Sequence, residues 1–407
     1  MTDGSLNLDD FADLIARPDG RVRRDAEERH TRLGLPRQAL GRLEELATWL
    51  AAAQGRVPVR PVARPRLVLF AGDHGVAELG VSAYREGGAG ALVRATLAGE
   101  TPVAVLARRQ QVPLRVVDVG VDHGACGIAE LPAEVTARHV RDGSGRLDRE
   151  DALTEREAEE AFRAGMAVAD EEADAGTDLV LLGNLSVGGT TAAGVLVAAL
   201  CGTDASVVTG RPGVLDDHTW MRKCAAIRDG LRRARPLLGD HLRLLAAVGG
   251  ADLVATTGFL LQSAVRRTPV VLDGVVPAAC ALLAQRVAFR APDWWLVGQA
   301  SGDPAEAKAL DRMVLEPLLD HRVTVGQGAG ALLALPLVQA AAELAAELPV
   351  RPEPAAPDDG AGDGADDGAG DGTAGEADAQ AAPEDAGEHT GEGTGTTAPD
   401  GDVAPAS

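Results

Sequence analysis

The sequence predicts an α/β domain built on a mainly parallel sheet. Three observations carry this reading. Short apolar runs recur along the chain, helical segments separate them, and Gly, Asp or Asn follows most runs closely. Strands buried on both faces read this way, with loops at their carboxyl ends. Alternation of strand and helix then places helices against the sheet.

Each element has its own signal. Residues 37–53, RQALGRLEELATWLAAA, carry leucines at 40, 43, 46 and 50, one face of an amphipathic helix. The apolar runs at 67–70, 114–119, 179–182, 206–209, 269–272 and 294–297 are read as strands. Thr154-Glu155-Arg156-Glu157 is a capping box that opens a helix reaching about residue 173. Residues 251–266 and 277–287 read as two further helices. In a parallel sheet, ligands sit outside the carboxyl ends of the strands. Function is therefore sought in the loops that follow the runs. There is no internal repeat.

Composition narrows the function class. Hydrophobic residues make up 45% of the 407, enough for a sizeable core, while aromatics at 2% leave Leu, Val and Ala to fill it. The formal charge of −22 argues against nucleic acid or an anionic membrane as partner. Residues 352–407 hold 15 acids and no Lys or Arg, so the remainder carries only −7. Such a Gly-, Ala- and Asp-rich tail cannot bury enough apolar surface to order itself and reads as disordered. Cys126, Cys201, Cys224 and Cys280 lie far apart and show no zinc or redox spacing. Cys201 and Cys280 fall in apolar helical stretches, as packing residues do. The N-terminus lacks a secretory pattern and no uninterrupted apolar run spans a bilayer, so the cytoplasm is the expected compartment.

Six loops have residue types that carry chemistry. Ala71-Gly72-Asp73-His74-Gly75-Val76 follows a strand and is either a site or a tight turn capped by Asp73. Gly183-Asn184-Leu185-Ser186-Val187-Gly188-Gly189-Thr190-Thr191 leads into an Ala-rich helix. Its free amides and hydroxyls suit a phosphate, or simply cap the helix. Gly210-Arg211-Pro212-Gly213, with Lys223 further on, offers cations for a phosphomonoester or forms a surface turn. Val248-Gly249-Gly250-Ala251-Asp252 opens a helix. Leu272-Asp273-Gly274 closes a strand, where Asp273 orients a ligand or caps the next helix. In Val325-Gly326-Gln327-Gly328-Ala329-Gly330-Ala331, Gln327 is the only side chain with reach, as a site or a turn residue.

Taken together, the order of these loops resembles one family. Phe70-Ala71-Gly72-Asp73-His74-Gly75-Val76-Ala77, then Gly80-Val81-Ser82-Ala83-Tyr84, resembles the first signature of the nicotinate-nucleotide:dimethylbenzimidazole phosphoribosyltransferases. Gly188-x-Thr190-Thr191-Ala192-Ala193 resembles the second. Val248-Gly249-Gly250 and Arg267-x-Pro269-Val270-x-Leu272-Asp273-Gly274 resemble the next two. Leu315-x-Pro317-Leu318-Leu319-Asp320 and Gly326-x-Gly328-x-Gly330-Ala331 resemble the last. Gly41-Arg42-Leu43-Glu44-Glu45-Leu46-Ala47 is similar to the family's N-terminal helix, and the likeness runs from about residue 30 to 348.

The resemblance implies a Rossmann-like sheet flanked by helices, with a small helical domain drawn from both chain ends. In those terms, residues 1–60 and 336–351 form the small domain, 61–335 the phosphoribosyltransferase domain, and 352–407 the acidic tail. It implies a homodimer without metal or cofactor. The implied reaction moves phosphoribosyl from nicotinate mononucleotide to 5,6-dimethylbenzimidazole or a related base, giving α-ribazole 5′-phosphate and nicotinate for cobalamin assembly. By the same resemblance, Gly188, Gly189, Thr190, Thr191, Arg211, Lys223, Gly249, Gly250, Asp273 and Ser301 bind the nucleotide phosphate. Asp73, His74, Ser82, Tyr84, Leu185 and Ser186 face the base.

The sequence departs from the family at the reacting end. The family glutamate that takes the base proton is Gln327 here. Gly183-Asn184-Leu185 replaces glycine-glutamate-methionine, Gly189 replaces an asparagine, and Arg85 and Ala91 stand about where a proline and a base-contacting glutamine are expected. Gly298-Gln299-Ala300-Ser301 replaces a histidine-containing turn. The phosphate side is kept. Asp73 and Asp252 are nearby acids placed to substitute for the lost base. The alternative is an impaired relative that binds nucleotide or base as one subunit of a heterodimer.

Overall fold

The computed structural model describes residues 6–36, 38–84, 88–124, 131–210 and 216–351. Arg37, Arg85, Cys126, Arg211 and the acidic tail from residue 352 lie outside the described residues. The strands are β1 (Pro65–Asp73), β2 (Leu114–Gly120), β3 (Leu179–Val187), β4 (Val270–Leu272), β5 (Trp295–Gln299) and β6 (Pro317–Leu319). They pair throughout in parallel, in the order β2-β1-β3-β4-β5-β6. The order reverses between β1 and β3, the switch point where open sheets of this kind form a crevice.

The longer helices are α1 (Gly20–Thr31), α2 (Arg42–Gln54), α3 (Gly88–Leu97), α4 (Pro102–Arg109), α5 (Glu155–Asp174) and α6 (Gly189–Cys201). They continue with α7 (Asp217–Ala234), α8 (His241–Val248), α9 (Ala251–Val265), α10 (Val275–Val287), α11 (Pro304–Met313) and α12 (Ala329–Glu347). Side chains of a strand alternate between the two faces of the sheet. Val68, Phe70, Val180 and Leu182 accordingly enter a core formed with α5, α6, α9 and α10. Leu67, Leu69, Ala71, Leu179, Leu181 and Leu185 enter a second core formed with α2, α3, α4 and α12. Both faces are covered, which is why the strands read as continuous apolar runs.

Several boundaries move from the sequence reading. The helix expected from residue 37 begins at Arg42, because Gly41 holds φ +51° and leaves Leu40 in a turn. Residues 206–209 are not a strand. Ala205–Val208 is a single helical turn with Ala205 and Val208 buried and Val207 exposed, a three-residue spacing and not alternation. The three-residue β6 adds an edge strand that the sequence reading did not include. The capping box is formed: Thr154 Oγ accepts from Glu157 N at 3.2 Å, and Glu157 Oε2 accepts from Thr154 N at 2.8 Å.

The N- and C-terminal parts of the described unit meet. Arg29 of α1 donates to the carbonyls of Ala345, Ala346 and Leu348, satisfying groups at the end of α12 that have no partner within the helix. Leu33 and Val350 form an antiparallel bridge. Trp294 Nε1 donates to Ala16 O at 2.8 Å and Trp49 Nε1 to Asp293 O at 2.9 Å, stapling the N-terminal segment to the rim of the sheet. The described residues belong to a compact unit that ends at Glu353. α12 is long and apolar enough to cross a bilayer. Its Leu332, Leu335, Val338 and Ala342 are buried in the second core, as in the core helix of a globular fold.

Candidate active site

The carboxyl ends of β1, β3, β4 and β6 surround a cleft of about 340 Å³. The loop after β1 contributes Ser82 and Tyr84, β3 contributes Asn184 and Ser186, the loop after β4 contributes Asp273, and the loop after β6 contributes Gln327. A recess of about 150 Å³ adjoins it, and both are lined by Thr190, Lys223, Gly274, Val275 and Thr324. A larger hollow of about 610 Å³ opens between α1 and α2. It is lined by mixed charges such as Arg23, Glu27, Glu44 and Glu45, and no strand ends there.

The recess is built for an anion. Helices α6, α10 and α11 all begin at its wall, with Thr190, Val275 and Asp303 facing in. Helix N-termini present free N–H groups and the positive end of the helix dipole. Lys223 reaches in from α7 with its side chain buried, and its amine donates to Thr190 Oγ at 2.8 Å. Burial pulls its pKa below the usual lysine value, with Asp303 opposing. Asp303 is itself pushed up by burial. Lys223 thus places a buried amine against a neutral hydroxyl, with the Asp303 carboxyl across the recess. Ser301 lines the recess, held by Glu306, whose Oε2 accepts from Ser301 N at 2.8 Å and from its hydroxyl.

The other end of the cleft is set by close backbone packing. Gly183 of β3 lies against the Gln327–Gly328 peptide: a Cβ there would meet Gly328 N at 2.3 Å and Gln327 C at 2.4 Å. Only glycine lets the last loop approach so near. Gln299 clasps the same loop, donating to Val323 O at 2.6 Å and accepting from Val323 N at 3.1 Å. Gln327 has φ +62°, a left-handed conformation that is uncommon for a residue with a side chain. It is buried, and its Oε1 has no hydrogen-bond partner among the described residues. Asp273 is buried beside it, and neither carboxyl oxygen has a well-formed hydrogen bond. Burial pushes Asp273 up to about 7, partly opposed by the N–H groups of Gly330 and Gly328.

Beneath the cleft runs a second polar network. Ser186 Oγ donates to Asn184 Oδ1, and Asn184 Nδ2 donates to Asp252 Oδ2 at 2.9 Å. Asp252 Oδ1 lies 2.9 Å from His74 Nε2, with both side chains almost wholly buried. The contact does not form a well-shaped hydrogen bond, and coulombic attraction leads the coupling of the two groups. Burial alone would lower His74, but the Asp252 charge outweighs it and raises the imidazole. Burial would likewise raise Asp252, but His74 wins and holds it below the usual carboxylate value.

A phosphoribosyltransferase family profile matches residues 15–353. The nicotinate-nucleotide–dimethylbenzimidazole phosphoribosyltransferase of Streptomyces avermitilis is 73% identical over 346 residues, covering 85% of this chain and 92% of the relative. That of Mycobacterium avium is 47% identical over 328 residues, covering 80% and 92%. The chain belongs to the nicotinate-nucleotide–dimethylbenzimidazole phosphoribosyltransferase family. A crystal structure of such an enzyme from Thermus thermophilus superposes with TM-score 0.75 at 37% identity, covering 82% of this chain and 97% of that one.

Of the residues expected from the family motifs, Gln327, Asp273, Ser82, Tyr84, Ser186, Gly188, Thr190 and Lys223 line the cleft, and Ser301 lines the recess. The others do not. Leu185 turns into the second core, because it sits between Asn184 and Ser186 on an alternating strand. Asp73 accepts from Ala89 N and Asp122 N at 2.8 and 2.9 Å, fastening two loops. His74 is engaged with Asp252, and neither Asp73 nor Asp252 lines the cleft. Gly189 packs on Ser186 and His74, Gly250 on His74 and Ser144, and Gly249 on Leu245. Thr191 is buried away from the cleft, and its N–H bonds Gly188 O at 2.9 Å. Arg211 lies outside the described residues. Asn184 was named only as a departure from the family motif, and Asp303 and Thr324 were not singled out by the sequence reading. Asp303-Pro304 was readable as a helix start, with Asp303 accepting from Ala305 N at 2.8 Å.

Proposed function

We infer that this chain transfers phosphoribosyl from nicotinate mononucleotide to 5,6-dimethylbenzimidazole or a related base, in assembly of the cobalamin nucleotide loop. The observation that carries this is the buried Lys223 at the junction of cleft and recess. It forms no ion pair among the described residues, and a nucleotide 5′-phosphate supplies a partner. With the phosphate held there, the ribose extends into the cleft towards Asp273 and Gln327. A benzimidazole ring nitrogen attacks C1′, and nicotinate leaves with the electron pair of the broken C1′–N bond.

The attacking base becomes a cation with one N–H to lose. Gln327 accepts that N–H through its amide oxygen but takes no proton. Asp273 takes it. A carboxyl with a pKa of about 7 is ionised in a useful fraction near neutral pH and returns its proton to water. A working enzyme of this kind is a homodimer, as the family motifs imply, with the cytoplasm as its compartment. The second reading rests on Gln327 itself: a relative without the family glutamate, serving as the binding subunit of a heterodimer.

The test is purified protein with nicotinate mononucleotide and 5,6-dimethylbenzimidazole, following α-ribazole phosphate by mass. Turnover is expected, with Lys223→Ala raising KM for the nucleotide about 10–100-fold through loss of a charge-assisted contact. A silent wild type with an active Gln327→Glu variant would favour the heterodimer reading instead.

A further inference from the structure

At the opposite edge of the sheet, three side chains converge that take no part in the cleft. β2 is the edge strand, and Asp118 near its carboxyl end is fully buried. Asp118 Oδ1 accepts from Gly120 N at 3.0 Å and Val121 N at 2.9 Å, which fixes the direction of its other oxygen. That oxygen, Oδ2, lies 2.7 Å from His123 Nε2 and 3.1 Å from His139 Nδ1. The three atoms fall within 4.8 Å of one another. The far nitrogen of His139, Nε2, lies 3.3 Å from Asp142 Oδ1. The two imidazoles stack with centroids 4.5 Å apart.

We propose that Asp118, His123 and His139 hold one divalent transition-metal ion of the zinc class, with Asp142 orienting His139. Two imidazole nitrogens and one carboxylate oxygen are a borderline ligand set that suits Zn²⁺, with water in a fourth position. Ligands about 2 Å from a tetrahedral ion stand about 3.3 Å apart. The two oxygen–nitrogen separations open by about 0.2 and 0.6 Å, and the two nitrogens, within 4.8 Å of each other, settle to the same spacing. His139 has the outer partner that metal-bound imidazoles usually have, its second nitrogen facing a carboxylate. An ion of charge +2 neutralises Asp118 and Asp142 while both imidazoles stay neutral. His123 is partly exposed and gives the ion a way in.

None of these four residues lines the cleft, so the ion acts on architecture and not on transfer. It ties the loop that leaves β2 at His123 to the segment at His139. The carboxyl end of an edge strand is thereby fixed at a place where no further strand covers it.

The test uses the full chain without a histidine tag, stripped with a chelator and titrated with Co²⁺ as an optical probe. The expected result is one Co²⁺ per chain, with the visible d–d bands of a low-coordinate nitrogen–oxygen site, displaced by Zn²⁺. His123→Ala and His139→Ala should each abolish the bands, and Asp142→Ala should weaken affinity about 10–100-fold. His321→Ala, at an exposed histidine elsewhere, should change nothing. A wild-type chain without stoichiometric bands overturns the proposal, whatever the variants do. Bands that survive His139→Ala overturn it as well.

Discussion

Two buried polar systems lie side by side at the carboxyl end of the sheet, and they are finished differently. His74, Asp252, Asn184 and Ser186 form a chain in which each side chain faces a partner of opposite charge or a hydrogen-bonding group. Asp273, Gln327 and Lys223 are as deeply placed, yet among the described residues Asp273 and Gln327 carry oxygens without a well-formed hydrogen bond and Lys223 forms no ion pair. Buried polar groups are ordinarily satisfied, and an exception calls for a reason. The first chain is charge-paired, although His74 Nδ1 and Nε2 and Asp252 Oδ1 make no well-formed hydrogen bond among the described residues, and it joins the β1 loop to β3 and α9. In the function proposed above, the second set meets the phosphate and base of the substrate.

The largest way to break this contrast is Asp273→Asn. Loss of a positioned base should cost about 10²–10⁴ in kcat, with the fold intact. In the wild type, kcat should fall as pH drops through about 7, where Asp273 takes up its proton. Stability should move the other way. The carboxyl is raised above its unfolded value, so its contribution is fully present below the ordinary aspartate pKa and lost as pH rises through about 7. Asp273→Asn should remove both slopes, read from a rate profile and from urea midpoints at each pH.

Asp252→Ala tests the first chain. It strands His74 without its partner and should destabilise the fold by about 3–5 kcal/mol in urea unfolding. The pH signs differ from Asp273: the depressed Asp252 contributes above the ordinary aspartate pKa and loses that contribution as pH falls through its lowered folded value. The smallest effect belongs to Ser186→Ala, where the two systems touch. It removes one hydroxyl donor from Asn184 and should cost about 1 kcal/mol, with kcat changed by no more than a few-fold. A large kcat loss there would mean that the first chain takes part in chemistry.

The sheet was legible because buried parallel strands write themselves as continuous apolar runs followed by glycine or acid. Residues 206–209 misled because a four-residue run is too short to separate period two from a helical turn. β6 escaped because it starts with Pro317 and spans three residues. At the site, Gln327 and Lys223 were legible, one from the glycines around it and the other from the motif order. Leu185 was not, because motif order ignores which face of β3 a residue takes. Asp73 was misjudged because one partner that engages it, the backbone of Asp122, lies 49 positions away and only the fold brings them together. Asp273 was expected at the phosphate. Its raised pKa comes from burial, which a sequence does not display.

The close seat of Gly183 under the last loop also limits what can be engineered. The Gln327 backbone has no room to retreat, and its left-handed conformation disfavours β-branched side chains there. A saturation library at position 327 should therefore return a short alphabet, and under the proposed function a change of base preference is sought instead at Ser82 and Tyr84, which line the same cleft.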